Sequence, residues 1–330
     1  MQQLLAIAPM MDYTDKHYRY LMRLITHHSW LYTEMLHSHA VIKGDRMRLL
    51  AYHPSEHPLA LQLGGSDPKS LAMAATIAAD YGYDEINLNV GCPSQAVQAG
   101  RFGACLMAEP ELVGDCVTAM RQVINLPVTV KTRIGIDKND DYKFLVNFIE
   151  VIKQAGVKTF IIHARKAWLT GLSPKENRTI PPLQYERVYQ LKRDFPELII
   201  ILNGGVSSLK EIEQHLKHVD GVMVGREAYH NPFAFSAVDK TLFNDDSIVA
   251  TRFEVFTQYL AYCQQQHKLG VGWRHLLKHT FALLQGLPGC KTWRRLLTQM
   301  LQTNNVECNQ LMELFRQSQV LYDQFSFEIH

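Results

Sequence analysis

Residues 85–107 read EINLNVGCPSQAVQAGRFGACLM. A strand-like run, Glu85 to Val90, ends in Gly91-Cys92-Pro93, and a cysteine in a tight turn just past a strand asks for a role. Six cysteines are present, at 92, 105, 116, 263, 290 and 308, with no CxxC and no Cys/His spacing of a zinc site. In a reducing compartment they read as free thiols. Cys105 and Cys116 lie in apolar helical patterns and read as small buried hydrophobes, which leaves Cys92 to be explained. A thiol with its ordinary pKa of about 8.5 is mostly protonated at neutral pH, yet it can release its proton. Apolar surroundings would raise that pKa and keep the thiol loaded. With no histidine in the motif, Cys92 fits an acid better than a nucleophile. Gly91 and Pro93 stiffen the turn that carries it.

The remaining candidates stand at the ends of other β-rich runs. Met10 and Met11 end the first run, and Glu34 or His37 the second. Gln62 lies on the third, and Asn87 and Asn89 on the fourth, with Cys92 just beyond. Lys131 and Arg133 follow on the fifth, His163 and Arg165 on the sixth, Asn203-Gly204-Gly205 on the seventh and Gly225-Arg226 on the eighth. Taken singly, Gln62 or Asn87 could satisfy buried backbone groups, and His163 could be a hydrogen-bonded core residue. Lys131 is harder to dismiss, because lysine is rarely buried without a partner. The glycine turns NGGVSS and VGREA can bring backbone N–H groups close to a phosphate, with Arg226 adding charge. A phosphate site beside Lys131, His163 and Gln62 points to flavin mononucleotide (FMN), whose N1/O2 edge a cation such as Lys131 would face. A Schiff-base aldolase built on Lys131 is the competing reading. It leaves Cys92 and its turn without a task.

These residues are positioned by a repeated alternation. Short β-rich runs fall at 4–10, 31–36, 59–65, 84–91, 128–135, 159–165, 199–205 and 221–227. Amphipathic patterns fall between them, among them 67–82, 141–156 and 207–219. Asp67 and Ser207 read as N-caps, and Gly82 and Gly156 as helix stops. The runs are nearly all apolar, as in strands covered on both faces. Eight strands separated by helices predict an α/β chain with a (β/α)8 TIM barrel over residues 1–240, whose C-terminal strand ends converge on one site. A doubly wound open sheet would usually follow its first strand with GxGxxG. Here that strand ends in APMMDYTD, without a glycine. Beyond about residue 245 the strand signals stop. Helices are predicted over 252–268, 273–286, 291–302 and 306–323, forming an all-α C-terminal domain over 241–330.

Composition narrows the setting. The chain has 330 residues, 47% apolar and 20% charged, as in an ordinary soluble protein. No apolar run reaches the roughly 18–20 residues of a membrane span. The N-terminus lacks the pattern of a signal peptide, so a cytoplasmic protein is expected. Net charge is only +2, which suggests modest, local contacts with any nucleic acid. Between Lys268 and Arg295, however, six basic residues stand with no acid: Lys268, Arg274, Lys278, Lys291, Arg294 and Arg295.

The ordered set APMMDYTD, LQLGG, INLNVGCPS…GRFGACLM, VKTRIG, IIHAR, NGGV and VGREA resembles the tRNA-dihydrouridine synthases over the whole chain. LNVGCPS with the downstream GACLM is its most specific part, and no motif position departs from the pattern. The details look most like the A class, which modifies uridines 20 and 20a of the tRNA D-loop. The resemblance implies an FMN-holding barrel and a helical domain that helps grip tRNA. It implies that NADPH reduces the flavin, that the flavin passes hydride to C6 of a uracil, and that a cysteine protonates C5.

Carried over residue by residue, the resemblance makes Cys92 the proton donor. Pro9, Met10 and Met11 would line the flavin through their backbone, and Gln62 would contact its ring. Lys131 would face the N1/O2 edge, and His163 would lie beside ring or phosphate. Asn203, Gly204, Gly205, Gly225 and Arg226 would bind the phosphate, and Asn89 would face the uracil. The tRNA-contacting basic pairs of the class map to Lys175 and Arg178, and to Lys291 and Arg294. Because the uracil sits in a structured loop, it must be flipped into the barrel, while phosphate contacts hold the RNA in register. The loop 166–178 and the acid-free stretch 268–295 could supply those contacts. The expected enzyme is a monomer with no metal and no membrane contact. Three rivals remain: an FMN barrel acting on a free pyrimidine or other small ene-carbonyl, a non-catalytic RNA-binding protein, and the aldolase.

Overall fold

The apolar runs become parallel strands. In the computed structural model, which describes residues 4–247, 249–303 and 306–326, they are β1 (Leu5–Ile7), β2 (Trp30–Tyr32), β3 (Leu36–His37), β4 (Leu59–Gly64), β5 (Glu85–Val90), β6 (Val128–Arg133), β7 (Thr159–His163), β8 (Ile199–Asn203) and β9 (Gly221–Val224). The order β2-β1-β9-β8-β7-β6-β5-β4 closes through a further pairing of β2 with β4. The result is the expected TIM barrel, with helices between the strands.

Its second strand differs from expectation. The run 31–36 breaks into β2 and the two-residue β3, which pairs with the far end of β4. Thr33 lies at the break. Its hydroxyl accepts from the Gln62 N–H at 3.1 Å and donates to the Glu34 carbonyl at 2.8 Å. A side chain thus replaces a backbone acceptor, and the ladder is interrupted.

Side chains alternate along each strand. Ala6, Ala8, Trp30, Tyr32, Ala60, Ile161, Ile201 and Met223 form one buried apolar cluster. On β4, β5 and β6 the matching positions are polar instead: Gln62, then Glu85, Asn87 and Asn89, then Thr129, Lys131 and Arg133. Part of the barrel is therefore lined by amides, hydroxyls and charges.

Local chemistry sets the helix ends. Asp67 caps Pro68–Asp80 by accepting from the Ser70 N–H, and Gly82 follows that helix at φ +89°. Gly156, at φ +93°, follows Tyr142–Gln154 in the same way. Glycine takes this left-handed conformation without steric cost. The cap expected at Ser207 is Ser208, which accepts from the Glu211 N–H. Ser207 instead donates its N–H and its hydroxyl to the Glu211 carboxylate, at 2.6 and 3.0 Å.

The chain divides into two compact units, Met1–Lys16 with Ser29–Gly225, and His17–His28 with Arg226–His330. The boundary expected at 240/241 falls inside the second unit. Hydrogen bonds tie its two segments together: His17 Nδ1 to the Tyr262 hydroxyl at 2.8 Å, the Tyr18 hydroxyl to the Ala228 carbonyl at 2.7 Å, and the Thr26 hydroxyl to the Asp239 carboxylate at 2.6 Å.

Within the second unit, Arg252–Lys268 and Cys290–Thr303 match the predicted helices, and Cys308–Ser326 matches the last. The helix expected over 273–286 is not continuous. Trp273–Leu277 gives way to a tighter 3-10 turn at Lys278–Ala282. Side chains bond to carbonyls of this stretch: Trp293 Nε1 donates to Thr280, which also accepts from the Leu283 N–H, Arg294 Nε to Phe281 and Arg252 Nε to Leu283. Trp293 is fully buried, edge-on to Phe256 and Phe315 at 5.2 and 5.0 Å between ring centres. We expect Trp293→Ala to destabilise this unit by about 3–5 kcal/mol, read as a lower denaturation midpoint. Trp293→Phe, which keeps an aromatic ring and gives up the hydrogen bond, should cost less.

Candidate active site

Strand register sets the geometry. Gln62 pairs with Asn87 across β4 and β5, Asn89 with Lys131 across β5 and β6, Arg133 with His163 across β6 and β7, and His163 with Asn203 across β7 and β8. The polar strand ends predicted to converge are therefore neighbours.

Cys92 follows β5 on a latched turn. Asn89 Oδ1 accepts from the Gly91 and Cys92 N–H groups at 3.1 and 3.0 Å. The Cys92 carbonyl accepts from the Ala104 N–H at 2.9 Å. Gly103 makes that approach possible, since a Cβ there would lie 2.5 Å from the Cys92 carbonyl oxygen. The glycine of the downstream GACLM thus allows its segment to close against the cysteine turn. Cys92 itself is half-buried and unbridged, and its Sγ lies 3.6 Å from the Ser94 hydroxyl. Among the described residues no cluster of His, Cys, Asp and Glu could hold a metal.

Cations gather beside it. Lys131 Nζ donates to Asn203 Oδ1 at 3.0 Å, and Asn203 donates to the Met223 carbonyl at 2.8 Å. Burial, reinforced by Arg133, pulls the Lys131 pKa down to about 7, against an opposing pull from Cys92. Burial also lowers Arg133, to about 10. Arg133 clamps the turn from the other side. It donates to the Gly91 carbonyl at 2.9 Å and to the Lys166 and Asn177 carbonyls at 3.1 Å each. Burial first, then Arg133, Lys131 and Arg165, hold the His163 imidazole well below its ordinary pKa. Its Nδ1 is buried with no hydrogen-bond partner among the described residues.

The two glycine turns differ. Gly204 and Gly205 adopt φ +116° and +79°, and a Cβ on Gly205 would lie 2.6 Å from Leu183 and 2.7 Å from the Tyr185 hydroxyl. Gly225 is open by comparison, its nearest neighbours being Ala8 and Met10 at 3.7 and 3.8 Å from a Cβ. None of the three N–H groups donates to another described residue. Unspent N–H groups on glycine turns suit a phosphate. Arg226 opens the short helix Arg226–His230 of the second unit.

Met10 spends its backbone on its own turn. Its N–H donates to the Thr14 hydroxyl at 2.9 Å, and its carbonyl accepts from the Tyr13 and Thr14 N–H groups. Lys175 and Arg178 are exposed on a loop organised by buried Asn177, whose amide binds the backbone of Trp168, Leu172 and Ser173. In the second unit Lys291 and Arg294 are exposed on one helix, but Arg294 also braces the Phe281 carbonyl and Gln285. Sequence reasoning overlooked Glu85, Thr129 and Asn177. The first two share the two-residue period of Asn87, Asn89 and Lys131, and that period was the available signal.

The folded pKa of Lys131, about 7, lies below the unfolded value of 10.5. The unfolded chain therefore binds more protons between those limits, and stability rises with pH across that window. Lys131→Met should remove this contribution, so that the unfolding midpoint of the flavin-free protein rises less between pH 7 and 10.

A family model described as dihydrouridine synthase matches residues 6–319. The tRNA-dihydrouridine(20/20a) synthase of Synechocystis sp. is 54% identical over 294 residues, 89% of this chain and 88% of that protein. That of Shewanella oneidensis is 56% identical over 299 residues, 91% and 89% of the two chains. A solved 2-naphthoyl-CoA reductase in complex with 2-naphthoyl-CoA superposes with a TM-score of 0.55 at 10% identity, covering 72% of this chain and 50% of that one. That likeness concerns the fold alone. By motif order, the family match over nearly its whole length and more than half identity to these relatives, the chain belongs to the dihydrouridine synthase family.

Proposed function

We propose that this oxidoreductase reduces the C5=C6 bond of uridine to 5,6-dihydrouridine at positions 20 and 20a of the tRNA D-loop, with FMN as cofactor and NADPH as reductant. The observation that carries the reading is Cys92, on a turn latched by Asn89 and clamped by Arg133, within the electrostatic reach of Lys131.

The residues fit FMN. The free N–H groups of Gly204, Gly205 and Gly225, with Arg226, would hold the phosphate, and His163 would lie beside phosphate or ring. Gln62 would contact the ring, framed by Pro9, Met10 and Met11. Lys131 is half-buried with its pKa pulled down to about 7, so an anionic N1/O2 edge beside it would raise that pKa and bind in return. When bound, FMN supplies the hydride that reaches C6 of the uracil.

Asn89 would face the uracil, and Cys92 would give its proton to C5, where negative charge develops. The thiolate left behind lies in the field of Lys131 and Arg133. The Asn89 latch holds the donor in place, so little orientational freedom is lost in the reaction. Lys175, Arg178, Lys291 and Arg294 would bind tRNA phosphates while the base is flipped. Among the described residues no helix is long and apolar enough to cross a membrane. The reading is completed by a monomeric, cytoplasmic enzyme that needs no metal.

The test is anaerobic. The flavin-loaded protein is reduced and mixed with unmodified tRNA, and reoxidation is followed by absorbance. Fast reoxidation by intact tRNA but not by free uridine is expected. No reoxidation by tRNA overturns the reading, and equal reoxidation by free uridine moves it to a small ene-carbonyl. Cys92→Ala should still be reduced by NADPH while dihydrouridine formation falls about 10²–10⁴-fold. For the RNA contacts, Lys175→Ala and Lys291→Ala are the cleaner probes, because Arg294 also braces its own unit. Each should weaken tRNA binding and reduce the salt slope by about 0.7–0.9 for each phosphate left without its lysine, with flavin reduction unchanged.

A further inference from the structure

A line of hydrogen bonds runs through the barrel interior to the cysteine turn. The Tyr32 hydroxyl and the Thr129 hydroxyl both donate to Glu85 Oε1, at 2.7 and 2.6 Å. Asn87 Nδ2 donates to the Thr129 oxygen at 2.8 Å. Gln62 Nε2 donates to Asn87 Oδ1 at 2.7 Å, and Asn89 Nδ2 donates to Gln62 Oε1 at 2.8 Å. Asn89 Oδ1 then accepts from the Gly91 and Cys92 N–H groups. All six side chains are buried, Asn89 the least at 8% exposure.

The line has one allowed direction, dictated from the turn. At the turn, backbone N–H groups can only donate, so Asn89 must present its oxygen there. Its nitrogen must then face Gln62, the Gln62 nitrogen must face Asn87, and the Asn87 nitrogen must face Thr129. At the other end Thr129 donates its hydroxyl proton to Glu85 Oε1, which leaves its lone pair for Asn87. Three amides, each able to flip in isolation, are thus held one way round. If any of them reversed, two N–H groups or two carbonyl oxygens would face each other out of reach of water, and a buried unpaired polar group is costly.

We propose that Thr129 and Glu85 are positioning residues for Cys92. They act through Asn87, Gln62 and Asn89 to keep the Asn89 oxygen on the Gly91-Cys92 backbone. Thr129 joins Asn87 to Glu85, because it donates and accepts through one hydroxyl. Neither residue touches the cysteine. The relevance of this to catalysis rests on the role given to Cys92 above, but the coupling itself does not.

The test reads Cys92 directly. The full chain as purified is treated with iodoacetamide, and the rate of alkylation at Cys92 is followed by peptide mass spectrometry. Thr129→Val keeps the shape of the side chain and removes the hydroxyl. It should release the turn and change the Cys92 rate by about fivefold or more, the scale of one missing buried hydrogen bond. Thr129→Ser should restore the wild-type rate, which a role in packing alone would not require. Tyr32→Phe removes a different donor to Glu85, leaves the line intact and should leave Cys92 unchanged. Should the valine variant not fold, Thr129→Ala gives the same reading. Equal Cys92 rates in wild type and Thr129→Val, or a serine variant that behaves like valine, would overturn the proposal. If the Cys92 rate shifts as expected while tRNA still fails to reoxidise the flavin, the positioning line stands and the proposed function falls.

Discussion

Two backbone N–H groups resting on one side-chain oxygen, those of Gly91 and Cys92 on Asn89, hold the cysteine turn where β5 ends. Asn89 can spare that oxygen only because its nitrogen is satisfied elsewhere, at Gln62. The need for satisfaction then passes from residue to residue down the barrel, ending on Glu85. A polar interior of this kind is tolerable only when complete, since each missing partner would strand a polar group in a low-dielectric core. Register makes it possible: Gln62 opposite Asn87, and Asn87 opposite Thr129, bring these groups within reach of one another.

The other half of the site is electrostatic. Lys131, Arg133 and Arg165 all act on His163, and burial weakens the hold of Lys131, Arg133 and His163 on their protons. Arg133 spends its donors on three backbone carbonyls and so serves as scaffold, joining the cysteine turn to the loop that carries Lys175 and Arg178. Lys131 ends on an amide oxygen, and among the described residues nothing accepts from the glycine N–H groups on the turns that follow β8 and β9. Such a rim favours anions, because an arriving negative charge both meets the donors and strengthens the hold of these groups on their protons.

Much of this is legible in the unfolded chain. Apolar runs bounded by helical patterns mark all eight barrel strands, and caps such as Asp67 and stops such as Gly82 and Gly156 mark their helices. The misses share a cause. The break at Thr33, the cap at Ser208 instead of Ser207, and the tightened turn at Lys278–Ala282 each depend on which neighbouring group takes a backbone hydrogen bond. Residue preference leaves such choices open. The unit boundary was missed for the same reason: nothing in residues 17–28 announces that His17, Tyr18 and Thr26 will bond to residues more than two hundred positions away.

What the sequence determined by itself was the set of parts: a parallel barrel, because apolar runs need cover on both faces, and a rim of polar strand ends, because the barrel topology gathers them. Glycines at 103, 204 and 205 were likewise written in, since no other residue fits where a carbonyl, a ring or a left-handed turn lies so close. Tertiary structure decided how those parts engage. Only register, closure and burial turn Glu85 and Thr129 from ordinary strand residues into the origin of a directed hydrogen-bond line. Only desolvation beside another cation pulls the Lys131 pKa down to about 7. Partner choice and desolvation are properties of surroundings, and the surroundings exist only once the chain has closed on itself.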